Sequence, residues 1–521
     1  MNGLSREMEL KLELDPSHAA RLRRHLGGRL EGAKPAQKKL VSVYFDTPDL
    51  RLRRNGVSLR VRRADGKHIQ TIKDGNGSAA GLFDRAEWEQ NISGPLPDLE
   101  AAKDTALEPL LSGEAATLRP AFETRIERSQ YRLTSRGSDI EIALDQGEVD
   151  TGDRRSPLCE LELELKDGDA AELFQVARTI GKGIPLRLSL KSKADRGYEL
   201  VDNSVGGPEK AAGVHLSATT TAAEGFEIVA RECLKQVLAN EATTVRGDGE
   251  ALHQMRIGLR RLRAAISTFG SVVKDRPGER IKSELRWISR KLSPARDLDV
   301  LVAEVLAPLR RHHPNDAGVA AVCRDFDRRR SRAHKAAVTA ICSPRFRGLV
   351  FDVAEWIQVG PWRRSDDALQ QSRRDQSVAA LAADELRRRR RKIRKKAKSL
   401  RELSTPGRHK LRIRAKKLRY AIEFFTDVFP AKKQAKRSKA ALASLKELQD
   451  ALGALNDVAT REKIASRVAL SRRRKPRRGE GREKAFAAGV IVGSQEARVQ
   501  HTLKDGESAS ARFAAVKRFW T

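Results

Sequence analysis

The chain has 521 residues, of which 39% are hydrophobic and 33% are charged. It is too long for one ordinary domain and too polar for a membrane-embedded bundle, so we expect two soluble domains. The formal net charge is +34, and residues 1–200 hold 33 basic and 33 acidic side chains, so the whole excess lies in the second half. A basic half of this size indicates a polyanionic partner: nucleic acid, an acidic membrane surface or inorganic polyphosphate.

Cysteine usage and the N-terminal segment indicate the compartment. Four cysteines in a chain of this length form neither a disulfide framework nor paired CxxC metal spacing, which is typical of a reducing environment. The first residues lack an apolar signal region, and no segment approaches the roughly eighteen apolar residues of a membrane span. We therefore expect a cytoplasmic protein without a membrane partner.

The two halves differ in hydrophobic periodicity. Charged and apolar residues alternate strictly over residues 7–14, 56–62, 139–144 and 160–165, which predicts strands with one charged face. Turn signals between short strands favour an antiparallel α+β barrel. Beyond about residue 205 the period becomes 3.6, which predicts long amphipathic helices. The predicted domains are residues 1–202, a linker over 203–217 and an all-α domain over 218–521.

One helical segment occurs twice. HQMRIGLRRLR at residues 253–263 recurs as HKLRIRAKKLR at 409–419, and LSPARDLDV at 292–300 has a weaker counterpart, LGALNDV, at 452–458. Repetition in the same register predicts two similar helical halves. A further run of basic residues, Arg387 to Lys398, is interpreted as a solvated segment.

The strands of the first half carry both signs of charge. They could form the solvent face of an ordinary sheet, with opposite charges paired across strands. Alternatively the charged faces converge inside a barrel, where clustered carboxylates require a cation such as Mg²⁺ or Mn²⁺ and clustered Arg and Lys require an anion. A metal-bound polyphosphate satisfies both demands. The charged faces are Glu7, Glu9 and Lys11; Arg60 and Arg62; Arg85, Glu87 and Glu89; and Glu160, Glu162 and Glu164.

An ordered series of motifs over about residues 1–202 resembles the CYTH domain of the triphosphate tunnel metalloenzymes. The motifs are Glu7-x-Glu9-x-Lys11, Tyr44-Phe45-Asp46-Thr47, Leu59-Arg60-Val61-Arg62, Thr71-Ile72-Lys73, Arg85-x-Glu87-x-Glu89, Asp145-x-Gly147, Glu160-x-Glu162-x-Glu164 and Ser192-Lys193. The resemblance implies an eight-stranded antiparallel tunnel, open at both ends, that hydrolyses triphosphates with a divalent metal.

The same resemblance assigns roles to individual residues. It implies catalytic roles for Glu7, Glu9 and Lys11. Mg²⁺ or Mn²⁺ would be held by Glu7, Glu9, Asp145, Glu160, Glu162 and Glu164, with the choice among the last three left open. The phosphate oxygens would be bound by Lys11, Arg60, Arg62, Lys73, Arg125 and Lys193, with Lys191 as a neighbour.

The repeated helical segment places one histidine and three cations on a single helix face in each copy. Such a stripe could be a solvated face paired with Asp297, Asp299 or Asp457, but its repetition favours an anion-binding surface. Residues 216–521 are similar to the CHAD domain, which implies a pseudo-symmetric bundle of two four-helix halves that binds inorganic polyphosphate. The implied contacts are His253, Arg256, Arg260, Arg261, Arg263, His409, Arg412, Lys416, Lys417 and Arg419. The two histidines are assigned to binding only.

These expectations lead to one leading function and two alternatives. The leading hypothesis is a metal-dependent hydrolase that converts tripolyphosphate to pyrophosphate and phosphate, with a basic domain that binds polyphosphate or places the protein on polyphosphate granules. One alternative is a non-catalytic polyphosphate-binding scaffold, and the other is an adenylate cyclase or other organic triphosphatase using the same tunnel. Nucleic-acid binding is disfavoured because only 5% of residues are aromatic.

Overall fold

A computed structural model describes residues 4–29, 35–74, 78–79, 81–111, 117–203, 206–469 and 501–520. The chain divides into two compact units. The first comprises Met1–Glu209 and Cys342–Gly360, and the second comprises Lys210–Ile341 and Pro361–Thr521.

The first unit is built on an antiparallel sheet. Its strands are β1 (Leu4–Glu13), β2 (Ala36–Asp46), β3 (Val57–Ala64), β4 (Lys67–Asp74), β5 (Ser78–Ala79), β6 (Leu82–Ile92), β7 (Arg119–Ser135), β8 (Ser138–Asp150), β9 (Arg155–Asp167) and β10 (Arg187–Leu188). Within the described residues, eight of these strands close in the order β1-β9-β8-β7-β2-β3-β4-β6, and β6 pairs with β1 again. The prediction of an eight-stranded antiparallel barrel is therefore confirmed.

Alternation along each strand separates two faces of the barrel. Apolar residues such as Leu10, Leu12, Leu161 and Leu163 are fully buried, and the intervening charged residues of β1 and β9 point to the opposite side, into the interior. The helices of this part are α1 (Ala19–Arg29), α2 (Arg51–Arg54), α3 (Glu108–Leu111), α4 (Ala170–Ile180) and α5 (Lys193–Val201).

Helix α5 closes one end of the barrel interior. Its residues Ala194, Tyr198 and Leu200 belong to an apolar cluster with Phe122 of β7 and Leu158 of β9. The contact is close, since a Cβ on Gly197 would lie 2.1 Å from the Phe122 ring. The interior is therefore closed at this end, which corrects the expectation of a tunnel open at both ends.

The first unit also contains a helix from the middle of the chain, α12 (Pro344–Val359). Arg178 of α4 lies 3.0 Å from Asp352, pairs with Glu355 and stacks on the Phe351 ring. The segment lies inside the range 218–521, which the sequence analysis assigned to the helical domain.

The second unit is helical. Its helices are α6 (Ala222–Ala239), α7 (Glu241–Val245), α8 (Gly249–Thr268), α9 (Arg276–Leu301), α10 (Ala307–His312), α11 (Ala317–Ile341), α13 (Ala368–Asp375), α14 (Val378–Ala397), α15 (Thr405–Phe424) and α16 (Lys432–Ala469), and residues 501–515 are also helical. Buried Arg389 and Arg390 of α14 donate hydrogen bonds to the carbonyls of Ser267 and Ala514, at 2.9 and 3.1 Å. The interpretation of the Arg387–Lys398 run as solvated is therefore wrong for these two residues.

The two helical halves are related by approximate two-fold symmetry. Reciprocal backbone hydrogen bonds of 2.8 Å join the starts of α6 and α14, from Ala222 N to Gln376 O and from Val378 N to Thr220 O. The rings of Phe269 and Phe425, directly after α8 and α15, lie 5.6 Å apart between centroids. Each of these positions is 156 residues from its counterpart, as in the sequence repeat. This confirms the predicted pseudo-symmetric bundle.

Two further sequence expectations concern the whole chain. All four cysteines are free thiols. Across the part of the chain that the structure describes, helices that combine the length and the apolar character needed to cross a bilayer are not found.

Candidate active site and basic helical groove

The barrel encloses a cavity of about 530 Å³ whose lining is dominated by charged side chains. Strand alternation places these side chains inside, because residues two apart on a strand share a face. The charged residues that line it are Glu7, Glu9, Lys11, Lys38, Arg60, Arg62, Asp65, Lys67, Lys73, Arg85, Glu87, Glu89, Arg128, Glu141, Glu162, Glu164, Lys166 and Lys193. The interpretation of convergent charged faces is therefore the one that the structure supports.

Three carboxylates meet beside the closed end of this cavity. Asp145 on β8 pairs in register with Glu160 on β9, and Glu162 follows two residues later on the same face. Asp145 and Glu160 are fully buried and Glu162 is 8% exposed. Among the described residues these three form a group whose ligand oxygens all lie within 4.8 Å of one another.

Three cations hold the carboxylate group together. Lys193, at the first position of α5, donates to Asp145 at 2.8 Å and to Glu162 at 2.9 Å and also contacts Glu160. Arg128 of β7 forms two bonds of 2.7 Å to Asp145 and one of 2.6 Å to Glu162. Lys11 of β1 contacts Glu162, its register partner on β9.

The local fold of α5 explains why Lys193 reaches this group. Ser192 caps the helix by accepting from the backbone N–H of Asp195, and the Asp195 carboxylate accepts from the Ser192 N–H in return. The cap fixes Lys193 in the first turn, where the partial positive charge of the helix N-terminus adds to its own. The Ser192-Lys193 motif thus supplies both the cap and the cation.

Burial and charge shift the two neighbouring glutamates in opposite directions. Burial disfavours ionisation of Glu162, but Lys11, Lys193 and Arg128 outweigh it and hold the pKa of Glu162 well below its ordinary value. For Glu160, burial dominates over the attraction of Lys193 and Lys11, so its pKa is raised. The group therefore combines one firmly ionised carboxylate with one whose negative charge needs further compensation.

A second layer of ion pairs lies along β1, β4 and β6. Glu7 accepts from Lys73 at 2.7 Å and from Arg85 at 3.2 Å, and Arg85 also bonds Glu9 at 2.7 Å. Lys73 lies 3.0 Å from Glu87. Each acid in this layer has a cation partner, so Glu7 and Glu9 fix the positions of Lys73 and Arg85.

Positive charge exceeds negative charge on the β3 side of the cavity. Burial and repulsion from Arg60 and Arg128 lower the pKa of Arg62 to about 10, and Nε of Arg62 donates to the uncharged Ser42 hydroxyl at 3.4 Å. Burial would raise the pKa of neighbouring Tyr44, but Arg60 and Lys193 outweigh it, so the Tyr44 pKa is lowered. Excess buried cations of this kind favour an anionic ligand.

Three of the predicted site residues have their ion-pair partners outside the two layers described above. Arg125 has a half-exposed side chain that pairs with Glu123 and Asp150 on the outer face of the barrel. The separation of three residues from Arg128 explains this, because odd separations change the face of a strand. Lys191 pairs with Glu199 and does not line the cavity. Glu164 lines it but pairs with Lys166 at 2.6 Å.

Three charged cavity residues outside the predicted site, Arg85, Glu87 and Arg128, contact residues that belong to it. The Arg85-x-Glu87 alternation was visible in the sequence, but its pairing with Glu7 depends on the β1–β6 register. Arg128 carried no local signal that separated it from Arg125.

The three-carboxylate group fits a divalent metal ion. Carboxylate oxygens are the hard ligands that Mg²⁺ and Mn²⁺ prefer. The Oε2 atom of Glu160 is buried without a hydrogen-bond partner, which leaves one ligand atom unsatisfied. Asp145, Glu160 and Glu162 are therefore residues that would hold such an ion.

In the helical unit, the two repeated stripes face each other across α8 and α15. They contribute to a cavity of about 520 Å³, and α9 adds two further cations. Burial and the surrounding arginines, led by Arg412 and Arg260, lower the pKa of Lys416 to about 7. The basic residues that line this cavity are Arg260, Arg263, Lys282, Arg286, His409, Arg412, Lys416 and Lys417.

Not all predicted helical contacts share this cavity. Arg261 is buried in the helix core, where it donates to Gln236 at 3.3 Å and stacks over the Phe424 ring. Arg256 donates to Ser293 and lies 3.6 Å from Asp297. Burial and the neighbouring Arg296 lower the pKa of His253, which favours its neutral form.

Two family models match the chain. A model described as a CYTH domain matches residues 5–198, and a model described as a CHAD domain matches residues 228–465. An inorganic triphosphatase from Haemophilus influenzae is 32% identical over 202 residues, which are 38% of this chain and 56% of that protein. The chain thus spans about half the length of that relative.

Two solved structures each align with a part of this chain. The crystal structure of the CHAD domain from the plant Ricinus communis aligns with 25% identity and a TM-score of 0.49, covering 60% of this chain and 98% of that chain. A Hippeastrum protein described as an adenylyl cyclase with a dominant triphosphatase activity aligns with 19% identity and a TM-score of 0.30, covering 37% of this chain and 95% of that chain. From the two family matches, this chain belongs to the proteins in which a CYTH domain is fused to a CHAD domain.

Proposed function

We propose that the barrel unit is a metal-dependent hydrolase of inorganic triphosphate that releases pyrophosphate and phosphate. The observation that carries this proposal is the buried group of Asp145, Glu160 and Glu162 next to a cavity with an excess of cations. Phosphoryl transfer depends mainly on positioning and on neutralising charge, and this arrangement supplies both. The similarity to an inorganic triphosphatase supports the same activity.

The proposed roles follow from the contacts. Asp145, Glu160 and Glu162 would hold Mg²⁺ or Mn²⁺, which would supply neutralisation of phosphate charge and activation of the attacking water. Glu7 and Glu9 position Lys73 and Arg85 through ion pairs and so act on the substrate indirectly. Lys11 keeps Glu162 ionised. The phosphate oxygens are bound by Arg60, Arg62, Lys73, Arg128 and Lys193.

A phosphate-release panel tests this function. The full chain is incubated with tripolyphosphate, thiamine triphosphate or ATP, each with Mg²⁺, Mn²⁺ or EDTA, at two alkaline pH values. We expect metal-dependent release that is fastest with tripolyphosphate. Release of cyclic AMP from ATP would instead identify a cyclase, and no release from any substrate would leave a binding scaffold.

A double substitution links activity to the barrel interior. Glu7→Ala with Glu9→Ala removes one carboxylate partner of Lys73 and the two carboxylates that Arg85 bonds, so we expect phosphate release to fall at least about 100-fold. Polyphosphate binding by the helical unit is expected to be unchanged. Phosphate release at the wild-type rate would contradict the proposed site.

We further propose that the helical unit binds inorganic polyphosphate and that the protein is cytoplasmic and associates with polyphosphate granules. The cavity between α8, α9 and α15 supports the binding proposal, because its titratable lining is basic. A polyanion would relieve the mutual repulsion of these cations.

This binding is expected to depend on pH through Lys416. With a pKa of about 7 in the free protein, Lys416 is largely neutral at pH 8. A bound polyanion favours the charged form, so binding takes up a proton, and affinity falls by up to about tenfold per pH unit between pH 7.5 and 9.5. The groups that face Lys416 are Arg256 and Arg260 of α8 and Arg412 and Arg419 of α15, with Lys282 and Arg286 of α9 lining the same cavity.

Isothermal titration in buffers of different ionisation enthalpy measures this proton uptake. Lys416→Arg is the matched control, because an arginine stays charged over the whole range. The variant should bind at pH 7.5 about as tightly as the wild type and lose most of the pH dependence. Equal pH dependence in the two proteins would contradict the role of Lys416.

A further inference from the structure

The pseudo-symmetry of the helical unit relates two sets of groove-lining positions whose residues differ in charge. The first, here called the α9-side groove, lies between the C-terminal half of α8, the N-terminal half of α15 and α9, and forms the cavity of about 520 Å³. The second set, here called the α16-side groove, consists of the positions that the repeat relates to this lining, on the C-terminal half of α15, the N-terminal half of α8 and α16. If both grooves bound anions equally, their charged residues should match.

Position 267 and its repeat counterpart 423 differ in charge. The α9-side groove has Ser267 at this position, and among the described residues that line it none is a carboxylate. The α16-side groove has Glu423, whose carboxylate lies 3.4 Å from Nε of Arg419. Burial raises the pKa of Glu423, although Arg419 and Arg261 oppose this. An anion entering the α16-side groove would therefore meet a carboxylate that already partners a cation.

Helix α9 contributes two cations to the cavity lining, and only one of the corresponding residues on α16 is a cation. The LSPARDLDV and LGALNDV segments align the two helices with a separation of 160 residues. Lys282 and Arg286 of α9, both in the cavity lining, then correspond to Leu442 and Lys446 of α16. Two differences, Ser267 against Glu423 and Lys282 against Leu442, thus favour the α9-side groove.

We infer that polyphosphate binds on one side of the pseudo-two-fold axis, in the α9-side groove, with Lys282 and Arg286 as contacts in addition to the repeated basic stripe. This inference rests on the proposed binding of polyphosphate by the helical unit. The second copy of the repeat contributes His409, Arg412 and Lys416 to this cavity, and Arg256 of the first copy contacts Asp297 and Ser293.

Two matched pairs of variants of the full chain test this asymmetry by titration with medium-chain inorganic polyphosphate. The first pair is Arg286→Ala and its α16 counterpart Lys446→Ala. The second pair is reciprocal: Ser267→Glu brings a carboxylate into the α9-side groove, and Glu423→Ser removes one from the other. We expect Arg286→Ala and Ser267→Glu to weaken binding about tenfold or more, because each removes or opposes a charge-assisted contact. Lys446→Ala and Glu423→Ser should change affinity less than about threefold.

Tripolyphosphate hydrolysis by the same samples controls for folding, since none of these residues lies in the barrel unit. If the wild-type chain does not bind polyphosphate, the proposed binding function itself fails. If it binds and the two members of either pair have equal effects, binding stands and the one-sided site is wrong.

Discussion

Glu162→Gln is expected to reduce metal-dependent phosphate release by about 1,000-fold. Glu162 contacts Lys11, Lys193 and Arg128, and it is one of the three carboxylates that would hold the metal. Glutamine keeps the shape and the hydrogen-bonding oxygen but removes the charge, so metal affinity falls and three buried cations lose their common partner. The measurement is initial rate against Mg²⁺ or Mn²⁺ concentration.

Glu148→Gln provides the control for this substitution. Glu148 lies on the outer face of β8, where its carboxylate is within 3.7 Å of Arg125 and of Arg155. The exposed pair contributes little in solvent, so rate and metal dependence should match the wild type. Thermal unfolding of both variants separates loss of activity from loss of fold. A Glu162→Gln enzyme that is folded and keeps more than a tenth of the wild-type rate would refute the metal role.

Gly147→Ala is expected to destabilise the barrel by about 3–5 kcal/mol. A Cβ at this position would lie 1.9 Å from the backbone carbonyl oxygen of Arg125 on the neighbouring strand. Because β8 is hydrogen-bonded to β7 on one side and to β9 on the other, neither backbone can move away without breaking the barrel ladder. The glycine of the Asp145-x-Gly147 motif is thus required by the close approach of two strands.

Differential scanning calorimetry of the full chain measures this effect. Gly94→Ala is the control, because a Cβ there meets no atom within 4 Å. We expect a clearly lowered unfolding temperature for the Gly147 variant and an unchanged one for the Gly94 variant. Equal unfolding temperatures would mean that the β7–β8 pair tolerates a side chain at this position.

The strand periodicity and the helical repeat were readable from the sequence because both are local patterns. Alternation over residues 7–14 and 160–165 defined a charged face on β1 and on β9, and the repeated HxxR segment defined matching faces on α8 and α15. The alternation and the short motifs named charged cavity residues such as Arg60, Arg62 and Lys73. These features depend on side-chain spacing within one element.

The tertiary structure decided which of these faces meet and what closes them. Arg128 lies inside the barrel and Arg125 outside, α5 fills one end, and α12 joins the barrel unit rather than the helical one. Arg389 and Arg390 are buried within a run whose composition is typical of a solvated face. Each of these outcomes depends on strand register or on packing between residues distant in sequence, and the spacing of residues within one element carries no information about either.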